Sequence, residues 1–136
     1  MANTKQTFLD SLVTQMNDLS GVKVATRQLL STSKTRENTP YVGIISGLEQ
    51  ILVEDTTNIR YALEVEIFII TKQQDNAIEP LIDTIKNLIY APIDLGDNVL
   101  LTRVLATEPV DITNQDKFSS ATIALEIIYY STKGAF

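Results

Sequence analysis

Histidine, cysteine and tryptophan are all missing from this chain of 136 residues. Without histidine there is no ordinary general base near neutral pH, and Ser-His-Asp chemistry is excluded outright. Without cysteine there is no disulfide, no thiol nucleophile and no thiolate ligand for zinc, although a Cys-free chain fits any redox compartment. Basic residues are also scarce, 11 against 17 acidic ones, for a net charge of −6. The arginines, Arg27, Arg36, Arg60 and Arg103, are dispersed. A chain of this charge repels polyphosphate and anionic lipid unless its bases cluster, and these do not. No glycine-rich phosphate loop is present. The opening MANTKQTF lacks the apolar stretch of a signal peptide, and no run approaches the ~20 apolar residues of a membrane helix. The expected place is therefore the cytoplasm in which the chain is made.

What is present is the composition of an ordinary globular protein, 44% hydrophobic and 21% charged. At this length one domain spanning residues 1–136 is expected, large enough for a core without covalent staples. TFLDSLVTQMNDLSG sets Phe8, Leu9, Leu12, Val13, Met16 and Leu19 at helical spacing, with Gly21 as a stop and Asn3 and Gln6 as a capping box. GVKVATRQLL alternates as a half-buried strand, and YVGIISGLEQILVED reads as two short strands around Gly47. EDTTN is a turn. QQDNAIEPLIDTIKNLIYAP carries Ile78, Leu81, Ile82, Ile85, Leu88 and Ile89 on one stripe, a helix over residues 77–90 with Pro80 in its first turn. NVLLTRVLAT is apolar on both faces, which predicts a strand covered on both sides, with a short buried helix as the alternative that period alone leaves open. The expected fold class is α+β, a mostly antiparallel β-sheet with two α-helices packed on one face and a meander as the simplest connection.

Two stretches share a peculiarity. In RYALEVEIFIIT the odd positions Tyr61, Leu63, Val65, Ile67 and Ile69 are apolar, while the even face runs Arg60, Ala62, Glu64, Glu66 and then turns apolar at Phe68 and Ile70. SSATIALEIIYY repeats the pattern, polar or small as far as Glu126 and apolar at Ile128 and Tyr130. One face buried against helices and one in water explains the odd positions and the glutamates. Phe68, Ile70, Ile128 and Tyr130 are left over. They are expected to form one apolar patch on the outer face, either covered by the loop at 110–118 or the N-terminal helix, or buried in a subunit interface.

The remaining candidates are weak. Ser46 in GIISG is not a nucleophile elbow, and Gly43 and Gly47 fit a bend. Glu64 and Glu66 stand two apart on one strand face, a spacing that can hold a divalent cation or act as acid and base, against the commoner reading of a solvated face. Lys34 and Arg36 form the closest basic pair, in the polar loop from Ser31 to Thr39. A second polar loop, Asp111 to Phe118, carries Asp111, Asp116 and Lys117. Both loops are expected to contact partners and to order on assembly. Neither a catalytic residue nor a cofactor or metal site is expected, and the chain reads as a non-enzyme.

In its order of elements the chain resembles the bacteriophage tail terminator proteins. The likeness lies in a helix, a strand, a long polar loop, the proline-led PYVGII, an acidic stretch, RYALEVEIFIIT, a second helix and two closing strands ending in IALEIIYY. The resemblance implies a structural subunit that forms a ring, hexameric in the family, on the head-proximal end of the tail tube. It implies contacts with the tube protein and with the neck or connector, DNA only as passing cargo, and a place in the virion after assembly in the host cytoplasm. Another neck, head-completion or tube component fits the same composition, as does an enzyme or ligand-binding domain built on carboxylates alone.

Overall fold

The computed structural model describes residues 4–27, 38–72, 78–90, 99–107, 111–112 and 118–132. Helix α1 (Thr4–Asn17) buries Phe8, Leu9, Leu12 and Met16, the residues its sequence spaces along one stripe. Its end is tied down by Asn17. The side-chain amide of Asn17 donates to the carbonyl oxygens of Val13 at 3.2 Å and Ala25 at 3.0 Å, and its Oδ1 accepts from the Ala25 amide at 2.8 Å. Strand β1 (Val24–Thr26) is therefore held on one side by a helix terminus and on the other by β2 (Tyr41–Glu54). Asn3, the expected cap, lies outside the described residues.

The β1–β2 pairing is parallel, while β2 pairs antiparallel with β3 (Asn58–Lys72) across a tight turn. Asp55 makes that turn. Its Oδ1 accepts from the amides of Thr57 at 2.8 Å and Asn58 at 2.6 Å, and its own amide donates to the Asn58 carbonyl at 3.0 Å. The expected break at Gly47 is absent. Residues 41–54 form one strand that absorbs extra residues in two register shifts, between Ser46 and Glu49 and between Ile51 and Val53. A Cβ on Gly47 would stand 3.4 Å from the Glu64 carbonyl oxygen, so the small residue lets the first bulge lie close to β3.

Helix α2 (Ile78–Tyr90) has Pro80 in its first turn and buries Ile78, Leu81, Ile82, Ile85 and Ile89. Strand β4 (Val99–Thr107) follows, then the short β5 (Asp111–Ile112) and β6 (Phe118–Thr132). The six-stranded sheet runs β1-β2-β3-β6-β4, with β5 also paired to β6. The last strand is thus inserted between β3 and β4, and a simple meander is excluded. β4 and β5 lie in succession along one edge of β6, against residues 123–129 and 119–120 respectively.

The architecture is α+β, with both helices on one face. The helical stripes, the odd positions of β3 and β6, and Val42 and Ile44 of β2 share one core. Within it, Tyr129 stacks on Tyr61 at 5.2 Å and meets the edge of Phe8 at 4.8 Å. The Tyr129 hydroxyl crosses to β2 and donates to Glu49 Oε2 at 2.6 Å, where Lys5 Nζ also approaches at 3.7 Å.

Three expectations are corrected. The N-terminal helix lies on the core face, because its apolar stripe is continuous with the odd-numbered residues, and so it does not cover the outer face. β4 is a strand but is not covered on both sides. Only Val99 and Val104 pack on the core, while Leu100, Leu101 and Leu105 are exposed, since no described element lies over the outer face there. The polar loop from Asp111 to Phe118 is interrupted by structure at both ends: Asp111 and Ile112 form β5, and Phe118 opens β6, because the Ser119–Ser120 backbone there offers a free edge to pair.

Candidate assembly surface

The outer face of the sheet is built from the even positions of β3 and β6, and their register fixes what lies beside what. Glu64 stands directly opposite Glu126, and Glu66 opposite Ala124. Like charges facing each other across a ladder repel. Arg103, on β4, relieves the pair by placing Nε and Nη2 each 2.8 Å from Glu126 Oε1. Glu64 and Glu66 are exposed. Among the described residues no three carboxylates gather as a metal site.

The four leftover apolar residues do not come together. β3 and β6 are neighbours, but antiparallel. Phe68 and Ile70 face Thr122 and Ser120, whereas Ile128 and Tyr130 face Ala62 and Arg60 at the other end. The glutamates lie between them. Six residues separate Ile128 from Thr122, roughly 20 Å at about 3.3 Å per residue, so a single patch is excluded by the strand direction.

The two ends differ in kind. Ile70 and Phe68 also pair with Tyr41 and Gly43 of β2. Tyr41 is fully buried although it projects from the outer face, with its hydroxyl 2.7 Å from Thr26 Oγ1. That corner is closed. The Tyr130 end is open, a hollow of about 300 Å³ lined by Val53, Asp55, Asn58, Arg60, Leu100 and Tyr130. Of the expected partner-contact residues, Lys34, Arg36, Asp116 and Lys117 lie outside the described residues, and Asp111 opens β5.

No family model matches the chain, and no curated protein does. A solved structure does. A chain in the virion of a native gene transfer agent particle superposes with a TM-score of 0.62 at 12% sequence identity, covering 95% of this chain and 96% of that one. The two share a fold. The match runs over nearly the full length of both chains.

The edges of the sheet hold the residues that sequence reasoning missed. Leu48, Ile51, Leu52 and Val53 on β2 are between 48% and 60% exposed, and Leu100, Leu101 and Leu105 on β4 between 43% and 47%. Large apolar side chains gathered so densely on two strands are not the scattered exposure of an ordinary surface. The available signal was the run of apolar residues without alternation in LEQILVE and VLLTRVLAT. Bulges conceal it, because each inserted residue shifts the period of two.

Proposed function

We propose that the protein is a structural component of a phage-like virion, and within it a tail terminator. In this reading copies of the chain form a ring, hexameric by the family pattern, that caps the head-proximal end of the tail tube and joins it to the neck. The protein works by contact and is not an enzyme. Its partners are other copies of itself, the tube protein and the neck protein, with DNA passing through as cargo. The observation that carries the reading is the end-to-end likeness in fold to a chain of a virion particle. The order of elements shared with tail terminators supports the finer assignment. On the outer face, Ile128 and Tyr130 beside the open hollow contribute to a subunit or neck contact. Phe68 and Ile70 contribute at the rim of the closed corner.

Disrupting the gene in the phage or particle that encodes it tests this reading, with the lysate viewed by electron microscopy. A terminator's loss leaves full heads unattached and tail tubes of uncontrolled length. Absence of any tubes would instead mark a tube subunit, leaking heads a head-completion protein, and normal infectious particles would overturn the virion reading altogether.

A further inference from the structure

The two apolar edges of the sheet are complementary in direction and length. On the edge away from β3, β1 occupies only Tyr41 to Gly43 of β2, and no described strand pairs with the rest of β2 as far as Glu54. β4 closes the other side of the sheet and has no described strand beyond it. Edges of this length that no described strand covers are a template for another chain. Proteins that must keep such edges apart place lysine or proline on them. Neither occurs in SGLEQILVE or in VLLTRVLAT. The extra residues at the bulges, where a protective charge would serve well, are Leu48 and Leu52 on β2 and Leu100 and Leu105 on β4.

We infer that two copies of this chain join head to tail, the stretch of β2 from Leu48 to Val53 in one pairing antiparallel with β4 of the next. The direction follows from the ladder. β2, β3, β6 and β4 alternate in sense, so the two outer edges run oppositely and meet antiparallel when copies are set side by side in one orientation. A register with Leu48 opposite Leu105 sets Gln50 opposite Arg103, Ile51 opposite Thr102 and Val53 opposite Leu100. It preserves the faces: Gln50 and Arg103 both belong to the outer face, Ile51 and Thr102 both to the helix face. In this register Arg103, already paired with Glu126, meets Gln50 and no β2 glutamate, so charge acts only against the rival pairings. The β2 segment carries Glu49 and Glu54 and no base, whereas β4 carries Arg103 and no acid. A two-fold β2–β2 contact would bring glutamates together, and a β4–β4 contact would oppose arginines. Head-to-tail contact is heterologous, so it repeats from copy to copy, and where the rotation closes it leaves a ring with no free edge. This rests on the sheet alone and stands whether or not the protein belongs to a tail.

The absence of cysteine allows a direct test. Leu48→Cys and Leu105→Cys proteins, mixed and mildly oxidised, are expected to give a cross-linked two-chain product that neither gives alone. Chains carrying both changes are expected to give a ladder of multimers. Leu52→Lys should reduce the oligomer seen by light scattering at least tenfold in association constant, with an unchanged thermal melt. A wild-type protein that is monomeric at high concentration overturns the inference. So does cross-linking of Leu48→Cys with itself, or an oligomer that tolerates Leu52→Lys and does not cross-link in the mixture. A ring joined at these edges but absent from purified virions would remove the proposed function and leave the contact standing.

Discussion

A glutamate placed at Ile69 and one placed at Ile128 add the same charge to neighbouring strands, with different expected consequences. Ile69 is fully buried on the helix face, where an unpartnered carboxylate costs several kcal/mol by rough estimate, comparable to the whole stability of a small domain. Ile69→Glu should fail to give a cooperative thermal melt. Ile128 is half-buried on the outer face beside Ala62 and Leu101, so Ile128→Glu should fold with a loss of only about 1–2 kcal/mol while weakening assembly in light scattering. Ile70→Glu should fall nearer the first case, since its neighbour Tyr41 is fully buried. Tyr129 offers a pH test. Burial first, and then its hydrogen bond to the Glu49 carboxylate, push its phenol well above the ordinary value. The unfolded chain releases this proton above about pH 10, whereas the folded chain holds it. Stability from this group is therefore complete below that pH and lost as pH rises beyond it. Tyr129→Phe should be less stable at pH 7 by about 1–2 kcal/mol and should show a shallower decline between pH 10 and 11 in chemical denaturation.

Among the elements, the β2–β3 hairpin depends on one side chain. Asp55→Ala removes the acceptor for two turn amides, and a loss of about 1 kcal/mol is expected in urea unfolding, with faster hydrogen exchange confined to residues around 54–60. The turn was legible because Asp before Thr-Thr-Asn satisfies its own backbone locally. α2 was legible to within a residue, as were the faces of β3 and β6, because each is set by a period inside a dozen residues. The neighbours of those strands were not legible. Whether Ile128 lies beside Phe68 or beside Ala62 depends on direction and register between segments some sixty residues apart, which no local period records. The open face of β4 was hidden for a related reason: an apolar strand looks the same whether its second cover is its own chain or another molecule.

At the scale of the whole molecule, charge constrains what passes close to the surface. The net charge is −6, and the centre of the outer face presents Glu64 and Glu66 with Glu126 neutralised by Arg103. A wall of this sign does not hold a moving polyanion. No shift of duplex DNA is expected in mobility assays at low salt, where weak attraction is most visible. Salt-sensitive micromolar binding would contradict the proposal that DNA only passes through a ring of these subunits.

The insertion of β6 between β3 and β4 also sets an order of events during synthesis. The ribosome makes β3 and β4 before the strand that separates them, so the middle of the sheet stays an open slot until Phe118 to Thr132 has emerged. Until then the odd-numbered side chains of β3 lack their β6 partners, and contacts over long sequence separation form slowly. A chain stalled before Phe118 leaves the ribosome should be cut readily by protease at β4, and one stalled after Thr132 has cleared the tunnel should resist. The edges that would join copies are thus arranged in one sheet only when a subunit is finished, and incomplete chains could not enter such an assembly.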